Sequence, residues 1–134
     1  QIMRQLKLPY KEIEQLYLRM VFNVVARNQD DHTKNISFLM DESGKWKLAP
    51  AYDVTYAYDP QNVWMKAHQL SINGKNDKIK KTDLLSVAKA MSIKKAEALI
   101  ENVNDSVRNW KIHAKKTGVD AEQIKSIAAT HNFL

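Results

Sequence analysis

Residues 26–36 read ARNQDDHTKNI, and residues 49–54 read APAYDV. The first stretch holds two adjacent aspartates, a histidine, a lysine and an asparagine. The second holds a lone aspartate, Asp53, in apolar company. These residue types suit transfer of a phosphoryl group from a nucleotide to a hydroxyl. That reaction needs one carboxylate to orient the hydroxyl and accept its proton. It also needs magnesium, held by a carboxylate and often by an amide oxygen. Magnesium keeps several of its waters, so two or three oxygen donors on neighbouring loops suffice. Asp30 can serve as the base and Asn35 and Asp53 as metal ligands. Lys34, between Asp30 and Asn35, can offset charge on the group in flight.

The elements that must position these residues are legible around them. Ile13, Leu16, Tyr17, Met20, Val21, Val24 and Val25 recur at spacings of three and four, the stripe of an amphipathic helix from about Lys11 to Ala26. That helix runs directly into the polar cluster. Ile36–Met40 reads as a strand, Asp41-Glu42-Ser43-Gly44 as a turn, and Lys45–Ala49 as a returning strand. A tight hairpin would bring Asp53 back to face Asn35. Residues 55–65 read as a loop with a turn at Asp59-Pro60. Gln69–Ile72 reads as a short extended segment ending in an Asn73-Gly74 turn. Thr82 is the expected N-cap of a helix over residues 83–91. Ser92 is the expected cap of a longer helix that carries Ala96, Leu99, Ile100, Val103, Val107 and Trp110 inward and stops at Gly118. Asp120 is the expected cap of a last helix. The fold class is therefore mostly α, an α+β arrangement with one small β-hairpin between the catalytic loop and the metal-binding aspartate.

Bulk composition narrows the rest. The chain has 134 residues, 44% hydrophobic and 27% charged, which suits a single domain over residues 1–134. No apolar run approaches the ~20 residues that cross a bilayer, so no membrane partner is expected. There is no cysteine, which excludes disulfides and cysteine-based zinc sites and fits a cytoplasmic location. Residues 1–65 carry eight basic and eight acidic side chains, whereas residues 66–125 carry thirteen basic and seven acidic. The net charge of +6 thus lies wholly in the second half. Interleaving with acids favours lysine as a solubilising surface residue over a nucleic-acid face.

Protein kinases carry their base and metal-binding amide in the order Asp-x-x-x-x-Asn, with a metal-binding aspartate later in the chain. Asp30, Asn35 and Asp53 have that order. More specifically, NQDDHTKNISF followed by LAPAYDV resembles the C-terminal lobe of the HipA family of toxin kinases. That family carries Asp-x-His-x-Lys-Asn, a hairpin and a Pro-x-Tyr-Asp segment. LSINGK at residues 70–75 and the helical tail add to the likeness, which spans about Leu16 to Trp110. The resemblance implies a bacterial serine/threonine protein kinase using ATP and Mg²⁺, often a toxin that modifies translation factors such as aminoacyl-tRNA synthetases. It implies restraint by a HipB-like helix-turn-helix antitoxin, and DNA contact through the antitoxin complex. By position, Asp30 would be catalytic, and Asn35 and Asp53 would bind the metal. His32, Thr33, Lys34, Asn35, Tyr52 and Asp53 would line the nucleotide. The chain's three glycines are not clustered, so the glycine-rich, nucleotide-gripping N-terminal kinase lobe is expected to be a partner outside this chain. Little or no activity is expected without it.

The plainer readings differ from residue to residue. Two aspartates just past a helix C-terminus oppose the helix dipole, which favours a functional Asp30. Asp31 occupies the variable position of the motif and is expected to face solvent. For His32, a structural role and a nucleotide contact stand level. Tyr52 is expected to be packed with its hydroxyl near the site, and Trp46, Trp64 and Trp110 to lie in the core or at its rim. A competing function is a non-catalytic antitoxin- or DNA-docking module with a vestigial kinase site, using Lys78, Lys80, Lys81, Lys89, Lys94 and Lys95. A metal-dependent phosphohydrolase ranks lower, since such sites recruit more carboxylates or histidines.

Overall fold

The computed structural model describes residues 2–134. Its elements run α1 (Ile2–Gln5), α2 (Tyr10–Val25), a 3-10 turn (Thr33–Asn35), β1 (Phe38–Met40), β2 (Trp46–Leu48), α3 (Lys81–Met91), α4 (Ala96–Arg108), α5 (Trp110–Lys116) and α6 (Ala121–Ala128). The fold is mostly helical with one two-stranded antiparallel sheet. None of these helices is long and apolar enough to cross a membrane.

Helix α2 is the axis of the molecule. Its inward stripe buries Tyr17, Val21, Val24 and Val25 against Leu84 and Ala88 of α3 and Ile100, Val103 and Val107 of α4. These spacings keep one face of each helix apolar, as helix-on-helix packing requires. A second cluster lies where α1 and the hairpin meet α2. Met3, Leu8 and Leu48 form it, with Leu6, Ile13, Leu16, Ile36 and Phe38 alongside.

The hairpin pairs Phe38 with Leu48, Leu39 with Lys47 and Met40 with Trp46. Its turn is set by Asp41, whose Oδ1 accepts from the backbone N–H groups of Ser43 and Lys45 and from the Ser43 hydroxyl. These bonds hold the Asp41 carboxyl below the usual carboxylate range. Gly44 closes the turn at φ +78°, a conformation that suits glycine.

Two polar side chains of α2 then grip the end of β2. Glu12 accepts from the Leu48 N–H, and Arg19 Nη2 donates to the Ala49 carbonyl at 2.7 Å. They direct the chain leaving the hairpin along α2 towards Asp53.

Three expectations about helix ends are corrected. Helix α3 starts at Lys81, so Thr82 lies inside its first turn. The Lys80 N–H is satisfied instead by Asp83 Oδ2 at 2.9 Å. Ser92 does not open the next helix. It closes α3 in the left-handed conformation at φ 60°, and its N–H bonds back into the last turn. The helix expected to run on to Gly118 is broken at Asn109. There the side-chain amide bonds the Asp105 carbonyl at 3.1 Å, and a side chain that competes for backbone partners interrupts a helix. The segment expected to be extended over Gln69–Ile72 forms no strand, only an isolated bridge between Ile72 and Lys75 around Asn73-Gly74. Asp120 caps α6 as its position suggests, accepting from the N–H groups of Glu122 and Gln123. Gly118, at φ +81°, follows the end of α5.

Candidate functional site

The acidic loop begins with a reversal at Arg27, which has φ 60°. The chain then pairs in parallel with the segment that follows Asp53. The Ala57 N–H donates to the Arg27 carbonyl, and the Gln29 N–H donates to the Ala57 carbonyl, both at 3.0 Å. Asn28 reaches its side-chain amide towards the Asp53 carbonyl at 3.5 Å. The hairpin, the grip of Glu12 and Arg19, and this short pairing together bring residues 28–35 beside residues 51–54.

Side chains along residues 29–32 then divide between inside and outside. Gln29 is fully buried, Asp30 is exposed, and Asp31 is buried. Alternation is the geometry of extended backbone. Asp30, His32 and Asp53 each offer a ligand atom within 4.8 Å of the others. His32 Nε2 is 3.7 Å from Asp30 Oδ1. Asp53 takes the left-handed conformation, φ 52°, which aspartate tolerates better than most residues.

Asn35 is anchored by its amide nitrogen, which donates to the Asp30 carbonyl at 3.0 Å. Among the described residues, no hydrogen bond ends on its Oδ1. The 3-10 turn supports this placement, since the Asn35 N–H also bonds the His32 carbonyl at 3.0 Å. Tyr52 donates its hydroxyl to the Lys34 carbonyl at 2.6 Å and pairs with the Ser37 hydroxyl. It therefore ties the two loops together. Tyr52, expected to be packed, is 41% exposed. Thr33 and Lys34 point outward, and among the described residues Lys34 forms no ion pair.

A cavity of about 180 Å³ lies beside these groups. Its polar lining includes Arg19, Asp31, His32, Asn35, Asp53 and Ser71. Burial pushes the Arg19 guanidinium below its ordinary value. Asp30, Thr33 and Lys34 stand outside the cavity. The structure thus brings Asp30, His32, Asn35, Tyr52 and Asp53 together, with Thr33 and Lys34 on the same loop facing solvent. The donor set of two carboxylates and a free amide oxygen fits Mg²⁺, which takes hard oxygen ligands and few of them from protein.

Asp31 is a correction. It was expected to face solvent, and it is 5% exposed. Its Oδ2 lies 2.9 Å from His68 Nδ1, and its Oδ1 accepts from the N–H groups of Gln69 at 2.8 Å and Leu70 at 3.3 Å. A buried carboxyl group needs hydrogen-bond partners, and here both oxygens have them. His68 is as buried, at 4%. Sequence spacing gave no signal for this pair, because the partners are 37 residues apart. Trp64, expected in the core or at its rim, is 72% exposed.

The chain is thus a helical lobe in which a hairpin separates an acidic loop from a returning aspartate. Residues 1–111 match the family described as the HipA-like C-terminal domain, and the chain belongs to that family. A search of curated proteins gave no match.

Proposed function

We propose that this chain is the catalytic C-terminal lobe of a HipA-like serine/threonine protein kinase, a toxin of a toxin–antitoxin pair. The observation that carries the proposal is the convergence of Asp30, His32 and Asp53 within 4.8 Å, with the Asn35 amide anchored on the Asp30 carbonyl. Family membership supports it.

In this reading Asp30, exposed at the mouth of the loop, orients the acceptor hydroxyl and takes its proton. Asn35 Oδ1 and the Asp53 carboxylate would hold Mg²⁺. Held there, Mg²⁺ would supply positive charge that offsets the charge of the ATP phosphates. His32 and Tyr52 border the nucleotide's phosphate side. Thr33 and Lys34, facing outward, await the N-terminal lobe and the phosphates it brings, and Lys34 then offsets developing charge. The glycine-rich grip on ATP belongs to that lobe, so turnover by this chain alone is negligible. The acceptor is a protein hydroxyl, on a translation factor such as an aminoacyl-tRNA synthetase. A helix-turn-helix antitoxin restrains the enzyme and links it to DNA. The cytoplasm is the expected place of action.

The test joins the chain to the coding sequence upstream and supplies Mg²⁺ with γ-labelled ATP. Transfer by the parent, and its loss in folded Asp30→Asn and Asp53→Asn variants, is the expected result. Transfer that survives both substitutions refutes the assignment. A docking module with a vestigial site would instead bind its partner independently of both aspartates. Its binding would weaken steeply with salt through the exposed Lys78, Lys80, Lys89, Lys94 and Lys95.

A further inference from the structure

Among the described residues, the hydrogen bonds joining the acidic loop (residues 28–35) to residues 59–76 all end on one carboxylate, that of Asp31. The bonds run on from there. Gln69, held by its N–H, donates its side-chain amide to the Trp64 carbonyl at 2.7 Å. The His68 N–H donates to the Asn76 carbonyl at 2.8 Å. Leu70, the last tethered residue, and Ser71 and Ile72 after it form a wall of the cavity that Asn35 and Asp53 also line. A single buried side chain therefore carries every hydrogen bond between that wall's segment and the loop bearing Asp30.

We infer that Asp31 is a positioning residue for phosphoryl transfer. It acts through the placement of residues 68–72 and of its neighbour Asp30, and not through its own charge. The inference rests on the kinase reading above. The bond pattern makes it specific, because a side chain of the same shape without charge preserves that pattern. Asn at position 31 still accepts from the Gln69 and Leu70 N–H groups through Oδ1. Its Nδ2 donates to His68 Nδ1 once the imidazole takes the other tautomer. Glu keeps the charge but adds one methylene, which displaces the wall by up to about one bond length, ~1.5 Å. A misplacement of ~1 Å can cost a factor of ~10² in rate.

The experiment compares Asp31→Asn and Asp31→Glu in the full-length encoded protein, with label transfer from Mg-ATP to the enzyme itself and to dephosphorylated casein. The expected result is kcat within a few-fold of the parent for Asn. For Glu it is a loss of ~10²-fold with KM for ATP unchanged. Amide exchange at Gln69 and Leu70 should remain slow with Asn and become fast with Glu. If Asp31→Glu does not fold, Asp31→Ser, too short to reach residues 68–70, must show the same loss in a cooperatively folded protein. The reverse order, Asn inactive and Glu active, overturns the inference and makes the His68 charge partner the operative feature. Equal activity in every variant overturns it too. Asp30→Asn separates the two levels. If it is inactive while Asp31→Glu is active, only the inference falls. If it transfers as fast as the parent, the kinase reading itself falls.

Discussion

Replacing Tyr17 by phenylalanine removes one oxygen from the centre of the α2–α3 contact, and its effect should reverse sign with pH. Tyr17 is fully buried, and its hydroxyl donates to the Leu84 carbonyl at 3.2 Å. That carbonyl lies within α3, where the helical ladder also uses it, so phenylalanine leaves no orphan acceptor. The loss at neutral pH is that of one hydrogen bond, ~1 kcal/mol. In alkali the balance changes. Burial pushes the Tyr17 hydroxyl from its ordinary value of 10.0 up to about 12, because the phenolate is poorly solvated among Val21, Leu84 and their neighbours. Above pH 10 the unfolded chain loses this proton while the folded chain keeps it. Stability is therefore full below pH 10 and falls as pH rises towards 12. Two units amount to roughly 2–3 kcal/mol at full ionisation.

Phenylalanine cannot ionise, so the variant escapes that loss. The stabilities of parent and variant should cross where the alkaline penalty equals the lost hydrogen bond, at about pH 10.7. Groups that titrate in both proteins cancel in the difference. Urea unfolding followed by circular dichroism from pH 7 to pH 11.5 gives both curves. A difference that stays constant across this range would refute the argument, since it would mean that Tyr17 ionises in the folded chain as readily as in the unfolded one.

Three other outcomes follow from the same structure. Asp83 is held well below the usual carboxylate range, first by the Lys75 ammonium, then by the Asn73 amide and the Lys80 N–H. Its stabilisation is present above the ordinary carboxylate pKa and declines as pH falls, so Asp83→Asn should flatten the acid limb of a stability–pH curve; an unchanged limb would contradict this. Leu84→Ala empties a fully buried position and should cost about 2–5 kcal/mol in denaturant unfolding, whereas a loss under ~1 kcal/mol would mean the core collapses around it. Asp53→Asn keeps a residue that tolerates φ 52°. The thermal midpoint should stay put while Mn²⁺ affinity, followed by water-proton relaxation, drops by at least about tenfold.

The parts of this fold that local chemistry dictates could be read from the chain. The stripe of α2, the Asp41–Gly44 turn and the Asp120 cap each depend on residues within a few positions of one another. Asp30, Asn35 and Asp53 were legible for a related reason. Four intervening residues and one hairpin are short enough that their proximity follows from the order of elements. Asp31 was misread because its partners lie at residues 68–70, and no periodicity connects them. Ser92 was misread, and the break at Asn109 was missed, because the apolar period continues across residues 88–110 while the backbone breaks twice. The breaks come from a left-handed residue and a side-chain bond, neither of which disturbs the hydrophobic pattern.

The site also depends on contacts far from its motif. Arg27, whose reversal opens the acidic loop, donates Nε to the Thr130 carbonyl at 2.7 Å. Asn132 bonds the Val25 carbonyl through its N–H at 2.9 Å. Leu134 is held at both its N–H and its carbonyl by the buried Asn104 of α4. The segment after α6 therefore runs across the C-terminal end of α2 and fastens the residues that lead into Asp30. These anchors lie beyond residues 1–111, the span shared with the family. The matched span holds the acids and the hairpin, and residues 130–134 brace the hinge between helix and acidic loop. Ordering that hinge in advance lowers the entropy lost when the loop takes up its working geometry. The motif is local in sequence, but part of its bracing comes from residues about a hundred positions away.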